Sequence, residues 1–296
     1  MSSTTTQSEQ SARTGATVRA QEARNGGHAT RNTLEASSYQ RLREHLAYLQ
    51  MTAAAEHLGS ELDLAAQGKR SATQVLETLL EIEVTATRAR RQRARLRFAR
   101  YPVHKTLEEF DFDFQPSLDR KLVGELSTLR FVEAKRNVIL LGPPGVGKTH
   151  LAIALGVAAT NAGYRTLFTS AADLVASLQQ AHLESSVLYK FRTYVAPSVL
   201  VIDELGYLPM DQTSASWIFQ VVSRRQDRGS IVLTSNRGFG DWNQIFADAV
   251  VATAIVDRLL GNATVVNIKG HSYRMRSYRD DAGGNGRAKG GGATVR

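Results

Sequence analysis

Residues 142–149 read Gly-Pro-Pro-Gly-Val-Gly-Lys-Thr and match the phosphate-binding pattern G-x-x-x-x-G-K-[ST] at every position. An apolar run over residues 137–141 precedes the pattern, and a helical pattern over residues 150–155 follows it. In such a strand–loop–helix the loop N–H groups and the positive end of the helix face phosphate groups. We therefore expect ATP to bind at Gly142, Pro143, Pro144, Gly145, Val146, Gly147, Lys148, Thr149 and His150.

Four residues are predicted to act on the phosphates, on a magnesium ion and on the attacking water. Lys148 is expected to reach the β- and γ-phosphates, and the Thr149 hydroxyl to ligate Mg²⁺. A buried-type strand over residues 199–202 ends in Asp203-Glu204. We expect Asp203 to hold Mg²⁺ and Glu204 to polarise the attacking water. The alternative is that Asp203 and Glu204 are solvated carboxylates at a strand end. The phosphate-binding loop in the same chain favours the metal and water site over this alternative.

Two further candidate site residues lie later in the chain. A strand-like run over residues 231–235 leads to Asn236, which could orient the water between Glu204 and the γ-phosphate. The alternative is an Asn that ends a strand and starts a turn. Arg258 follows later, and an arginine supplied to a neighbour's γ-phosphate would stabilise transition-state charge. From the sequence, a surface ion pair explains Arg258 equally well.

The chain beyond residue 118 alternates short β-rich runs with helical patterns. This alternation predicts an α/β fold, a mostly parallel sheet with helices on both faces. Strands are predicted over residues 138–141, 166–169, 199–202, 231–234 and 264–268. Residues 102–118 form a connector in which Phe110, Phe112 and Phe114 either wall the adenine or pack between domains.

A small all-α domain is predicted over residues 39–101. Leu42, Leu46, Leu49 and Ala53 recur at helical spacing, and a second helix starts at a capping box, Ser71 with Gln74. That helix can continue to Pro102. Residues 1–38 and 281–296 are poor in large apolar residues and are expected to be disordered tails.

The net charge of +9 is concentrated in short segments, and residues 88–105 contain no acid. Dense arginine of this kind is typical of a surface that binds a nucleic-acid backbone, although a solvated helix face is the alternative. A helical insert starting at Ala171 supplies a second candidate surface. The predicted DNA contacts are Arg88, Arg90, Arg91, Arg93, Arg95, Arg97, Arg100, Lys190 and Arg192.

Composition excludes several classes of protein. The chain has no cysteine, which excludes disulfides, thiolate metal sites and a thiol nucleophile. No apolar run approaches eighteen residues and no secretory signal is evident, so we expect a soluble intracellular protein without a membrane partner.

Taken in order, the phosphate-binding loop, the Asp-Glu pair, Ser235-Asn236, Asp257-Arg258-Leu259 and Ser272-Tyr273-Arg274 resemble an AAA+ ATPase of the DnaC/IstB clade. The sequence Asp-Glu-Leu-Gly-Tyr-Leu-Pro at residues 203–209 and Phe-Gln-Pro-Ser-Leu-Asp at residues 114–119 resemble IstB-type transposition helpers. The resemblance covers about residues 39–280 and makes residues 119–280 the AAA+ ATPase domain.

The resemblance implies an ATPase of the bacterial cytoplasm, associated with the nucleoid. It would form a higher oligomer with ATP on duplex DNA and work with an IstA-like DDE transposase in target selection. It also implies Asn236 as the first sensor, Arg274 as the second and Arg258 as the arginine acting on a neighbour. Only about twenty-two residues separate Arg258 from the Gly-rich tail, so a helical lid is minimal or absent and the role of Arg274 stays open.

Two other functions fit part of the pattern. A helicase loader of the DnaC type, using ATP as a timer, shares every ATPase motif. The arginine density of the N-terminal domain favours the transposition helper over such a loader. A metabolic kinase with a phosphate-binding loop usually needs a mobile arginine-bearing lid, for which this chain has no room.

Overall fold

A computed structural model describes residues 36–207 and 209–276. The chain forms two compact units that divide between Arg90 and Arg91, inside one continuous helix. The tails expected at residues 1–38 and 281–296 lie outside the described residues, apart from residues 36–38, which are helical.

The first unit contains helix α1 (residues 36–48), α2 (Thr52–Ala66) and the first part of α3 (Ala72–Ala99). Its core is small and consists of Ala54, Leu58, Val75 and Leu79. The predicted capping box is confirmed. The Ser71 N–H donates to Gln74 Oε1 at 2.8 Å and the Gln74 N–H donates to Ser71 Oγ at 3.3 Å.

The single helix predicted from Leu42 to Ala53 is wrong. The chain turns between α1 and α2, where Gln50 adopts a left-handed φ of 61°. Leu49 therefore leaves the buried face and is 62% exposed. The helical spacing of the apolar residues does not reveal this turn, because the residues on both sides of it are good helix formers.

The second unit contains the remaining elements. Its helices are α4 (Arg120–Ser127), α5 (Arg130–Glu133), α6 (Lys148–Asn161), α7 (Ala171–Leu183), α8 (Val187–Val195), α9 (Gln212–Arg225) and α10 (Ala249–Leu260). Its strands are β1 (Asn137–Leu141), β2 (Thr166–Ser170), β3 (Val199–Leu205), β4 (Ser230–Ser235) and β5 (Ala263–Asn267). Short 3₁₀ turns lie at Phe239–Gln244 and Tyr273–Met275.

All five strands are parallel, in the order β2-β3-β4-β1-β5. Helices cover both faces, so neighbouring residues of β1 enter different cores. Ile139 packs in the core with α7, α8, α9 and α10, whereas Val138 packs in the core with α4 and α6. The predicted α/β fold class is confirmed: a parallel sheet with helices on both faces follows a helical part of the chain.

The carboxyl ends of β1, β3 and β4 lie side by side at one edge of the sheet, and this arrangement positions the candidate site. Within the described residues, the 3₁₀ turn Tyr273–Met275 follows β5, and Arg276 after it is helical. None of the described helices has the length and apolar character needed to cross a membrane.

Candidate nucleotide-binding site

The phosphate-binding loop joins β1 to α6 through glycines in left-handed conformations. Gly145 has φ 82° and Gly147 has φ 97°, both in the region that favours glycine. A Cβ atom at Gly147 would lie 2.6 Å from Cε2 of the Phe110 ring. The loop therefore requires glycine at this position for its backbone and for the close approach of Phe110.

Lys148 begins α6 and is almost fully buried. Its Nζ donates to the carbonyl oxygens of Gly142 and Pro143, both at 2.8 Å. Burial lowers the pKa of Lys148; the Asp203 carboxylate opposes that effect and Arg274 adds to it. The ammonium group is thus held at the mouth of the loop, where phosphate oxygens would compensate for the water it has lost.

The structure brings Thr149 and Asp203, the two predicted metal ligands, into contact. Thr149 Oγ1 donates to the Asp203 carboxylate, with distances of 3.0 Å to Oδ1 and 3.2 Å to Oδ2. Asp203 is 6% exposed and lies at the end of β3. A hydroxyl beside a buried carboxylate is an all-oxygen donor set of the kind that Mg²⁺ accepts, so these residues fit the ion.

Glu204 lies immediately after Asp203 in a bulge of β3. The register between β3 and β4 shifts between Ile202 and Leu205, and Glu204 adopts a left-handed φ of 61°. This bulge turns the exposed Glu204 side chain toward a cavity of about 70 Å³. Lys148, Thr149, Asn236 and Arg274 line the same cavity, so the structure brings these predicted residues together.

Asn236 follows β4 and faces the same space. Its Oδ1 atom is buried and accepts no hydrogen bond from any residue in the described ranges. An acceptor without a partner in this position can receive a hydrogen bond from a water molecule between Glu204 and a bound phosphate.

Thr234 is a site residue that the sequence reasoning missed. It lies in β4, is 1% exposed, and its Oγ1 donates to Asp203 Oδ1 at 2.5 Å. The same Oγ1 accepts the backbone N–H of Glu204 at 2.9 Å. Its position two residues before Asn236, on the same side of the strand, is the signal that could have indicated it.

A larger cavity of about 340 Å³ adjoins the phosphate-binding loop on the side of the connector. Phe110 lines it and contacts His150 edge to face, with ring centroids 5.2 Å apart. Val103 and Ile153 add apolar surface. Of the three connector phenylalanines, Phe110 is therefore the one placed to wall a nucleotide base.

The other two phenylalanines pack away from this cavity wall. Phe112 packs on Phe110, with centroids 5.0 Å apart, and Phe114 packs on Tyr273, also at 5.0 Å. The connector is thereby joined to the segment that follows β5.

Two polar contacts strengthen that junction. Gln115 is 1% exposed, and its Nε2 donates to the carbonyl oxygen of His271 at 2.9 Å. Arg276 forms an ion pair with Asp111 at 2.8 Å. Between these contacts Arg274 lines both cavities, so the segment brings the predicted second sensor to the site.

Arg258 lies elsewhere in the same unit. Its guanidinium stacks over the Phe219 ring at 4.6 Å from the centroid. It lines a cavity of about 360 Å³ with Asn137 and Gly229, at the amino ends of the strands. Because the phosphate-binding loop is at the carboxyl ends, the structure does not bring Arg258 to the site of its own chain.

The predicted DNA contacts differ in their surroundings. In the first unit Arg88 is exposed, whereas Arg90 forms an ion pair with Glu83 at 2.6 Å. Arg95 is half-buried in the second unit, where the exposed residues of the predicted set are Arg91, Arg93, Arg97, Arg100 and Arg192. Lys190 is half-buried on α8.

Comparisons with known proteins agree with this site. The model of the family described as IstB-like ATP binding protein matches residues 44–281. An ATP-binding protein of insertion sequence IS21 from Pseudomonas aeruginosa is 48% identical over 80% of this chain and 86% of its own length. The corresponding protein of insertion sequence IS5376 from Geobacillus stearothermophilus is 42% identical over 81% of this chain and 96% of its own length.

Among solved structures, AMPPCP-bound DnaA from Aquifex aeolicus aligns over 64% of this chain and 57% of its own, with a TM-score of 0.49 and 20% identity. The family match covers both the helical part and the phosphate-binding fold. The chain belongs to the family of IstB-like ATP-binding proteins.

Proposed function

We propose that this protein binds ATP with Mg²⁺, hydrolyses it, and assembles on duplex DNA to help a DDE transposase select target DNA. The observation that carries the ATPase part is the small cavity at the end of β3 and β4. There Lys148, Thr149 and Glu204 line one cavity with Asn236. The amide oxygen of Asn236 accepts no hydrogen bond from the described residues. These are the groups that phosphate binding, metal ligation and water activation require.

The residues have separate roles in this proposal. Lys148 and the loop N–H groups bind the β- and γ-phosphates, while Thr149 and Asp203 would hold Mg²⁺, which neutralises phosphate charge when it is bound. Glu204 accepts a proton from water as the water oxygen bonds to the γ-phosphorus. The bond from that phosphorus to the bridging oxygen breaks, giving ADP and phosphate. Asn236 orients the water.

Arg258 supports an assembly in which one copy completes the site of the next. Its position at the amino ends of the strands leaves the phosphate cavity without it. In this proposal the Arg258 guanidinium acts on the γ-phosphate of a neighbouring copy. We therefore propose that hydrolysis requires the oligomer.

Duplex DNA is the proposed surface for assembly. Arg91, Arg93, Arg97 and Arg100 are exposed in the second unit, in or directly after α3. Each phosphate neutralised by such a side chain releases counterions and adds about 0.9 to the slope of log affinity against log salt. Backbone contacts of this type carry no sequence information, which suits a protein that selects many target sites.

The transposase is proposed from the relatives. The similar proteins of Pseudomonas aeruginosa and Geobacillus stearothermophilus are described as ATP-binding proteins of insertion sequences. Mobile elements of this kind need a transposase to cut and join DNA, and a DNA-bound ATPase beside it provides the target. This role places the protein at the nucleoid in the bacterial cytoplasm.

The deciding experiment measures binding to duplex and single-stranded DNA across a salt titration, with and without ATP, for wild type and Lys148→Ala. We expect tight, sequence-independent, ATP-dependent duplex binding that Lys148→Ala loses. Replacing Arg91, Arg93, Arg97 and Arg100 by Gln should flatten the salt slope by about 1 for each arginine that contacts a phosphate. A preference for single strands, or an unchanged slope, would contradict the proposal and favour a helicase loader.

A further inference from the structure

Thr234 connects the two carboxylate residues of the site through one hydroxyl group. Its Oγ1 accepts the Glu204 N–H at 2.9 Å, so its own proton goes to Asp203 Oδ1 at 2.5 Å. The direction is fixed, because the backbone N–H can only donate and the ionised carboxylate can only accept.

The Glu204 backbone needs this partner. The bulge between Ile202 and Leu205 removes Glu204 from the ladder of hydrogen bonds between β3 and β4. Glu204 also has a φ of 61°, a conformation that non-glycine residues rarely adopt and that persists only where the surroundings hold it. Thr234 supplies the hydrogen bond that the strand ladder no longer provides.

The Asp203 carboxylate is held from two sides. Thr149 donates to it from α6, and Thr234 donates to it from β4. Because Thr234 holds Oδ1, the Asp203 carboxylate keeps a fixed orientation toward the Thr149 hydroxyl. Groups that orient a metal ligand in this way commonly change metal affinity or activity by about 10- to 100-fold when they are removed.

We propose that Thr234 is a positioning residue that couples the magnesium ligand Asp203 to the water-activating residue Glu204. A shift of the Asp203 carboxylate moves the hydroxyl that holds the Glu204 backbone, and the Glu204 side chain moves with it. The inference rests on the proposed ATP hydrolysis for its kinetic consequence and on the fit of Thr149 and Asp203 to Mg²⁺ for its binding consequence.

The test compares Thr234→Val, which keeps the shape and loses the hydroxyl, with Thr234→Ser, which keeps the hydroxyl. Thr169→Val is the matched control, because Thr169 is also buried in the sheet and, among the described residues, its hydroxyl bonds only to the carbonyl oxygen of Ser170. Two readouts are used: the Mg²⁺ concentration that half-saturates binding of a fluorescent ATP analogue, and kcat and KM for ATP hydrolysis.

We expect Thr234→Val to raise the half-saturating Mg²⁺ concentration and to lower kcat by about 10-fold or more each, with KM changed by less than about 3-fold. Thr234→Ser should restore most of the wild-type Mg²⁺ dependence and most of kcat, and Thr169→Val should resemble wild type in both readouts. Wild-type values for Thr234→Val, or equal losses in Thr169→Val, would overturn the inference. A shift in Mg²⁺ dependence with no hydrolysis by wild type would support the positioning of Asp203 by Thr234, reject the proposed activity, and with it reject the coupling to Glu204.

Discussion

The backbone N–H of Tyr273 donates to the carbonyl oxygen of Gly145 at 2.9 Å, so the segment after the last strand is attached to the phosphate-binding loop. This segment is held on its other side by Gln115, which bonds to His271. Movement of this segment should therefore change the affinity of the site for a nucleotide.

Replacing Gln115 by Ala should weaken nucleotide binding. The substitution leaves the His271 carbonyl without its donor and loosens the segment that carries Arg274, so we expect the Kd for ATP to rise by about 5- to 10-fold, which corresponds to the loss of one buried hydrogen bond. Titration with a fluorescent ATP analogue measures this. Asp113→Asn is the control, since Asp113 is exposed, forms an ion pair only with the exposed Arg120 among the described residues and lines neither cavity, so this variant should change the Kd by less than about 2-fold. Equal effects would argue against a special role for Gln115.

Lys148→Met should separate nucleotide binding from stability. Burial lowers the pKa of Lys148, so the folded state holds this charge less favourably than the unfolded state does. We expect the Tm of the nucleotide-free protein to stay the same or to rise, while the increase in Tm on adding ATP disappears. Thermal unfolding with and without Mg·ATP tests both parts, with the exposed Lys121→Met as control. A large fall in the nucleotide-free Tm would show that Lys148 has a structural role.

The sequence predicts most of the second unit because its signals are local. The phosphate-binding loop and all five strands follow from short patterns, and each strand lies within three residues of its predicted ends. The contacts that complete the site are not local. Gln115 and His271 are 156 residues apart, and no periodicity connects them. The role of Thr234 depends on a bulge in β3, which shifts the strand register without leaving a pattern in the sequence.

Glu83 should make stability depend on pH in the acid range. Burial alone would raise the pKa of Glu83, but hydrogen bonds from the Ala54 N–H, Arg90 and Thr87 hold it below its ordinary value of 4.5. A lowered folded-state pKa gives stability that is present above the unfolded value and is lost as the pH falls through the folded value.

Urea unfolding of the full chain from pH 7 to pH 3 measures this contribution. We expect Glu83→Gln to lose about 1 to 3 kcal/mol at pH 7 and to show a shallower fall toward pH 3 than wild type. The exposed Glu81→Gln should keep the wild-type dependence. If the free energy of unfolding falls equally steeply with pH in the two variants, Glu83 is not responsible for the pH dependence.

Arg225 should be critical for stability although it lies outside the site. It is 1% exposed, and burial lowers its pKa to about 9. Its guanidinium donates to backbone carbonyl oxygens in the last turn of α8, between α8 and β3, and at the start of β4, including those of Tyr194 and Ser230 at 2.7 Å. Arg225→Met leaves these acceptors unpaired, and we expect a loss of about 3 kcal/mol or more in urea unfolding. The adjacent Arg224→Met, at an exposed position, should lose about 1 kcal/mol or less. Similar losses for both variants would contradict this account.

Arg258 and Lys148 should complement each other between subunits. In a site completed by a neighbour, Arg258→Ala keeps its own phosphate cavity intact and fails to complete the next one. Lys148→Ala has the opposite defect. Each variant alone should be nearly inactive, with a fall in kcat for Arg258→Ala of about 10³-fold, as for other arginines of this kind.

Mixing the two variants creates interfaces in which an intact phosphate cavity meets an intact Arg258. ATPase activity should therefore rise well above that of either variant, to about a quarter of wild type for random pairing of equal amounts. Mixing Lys148→Ala with itself at the same total concentration provides the baseline. If mixing restores nothing although both variants still join wild-type assemblies, Arg258 does not act on a neighbour. Its stacking on Phe219 would then be its whole role.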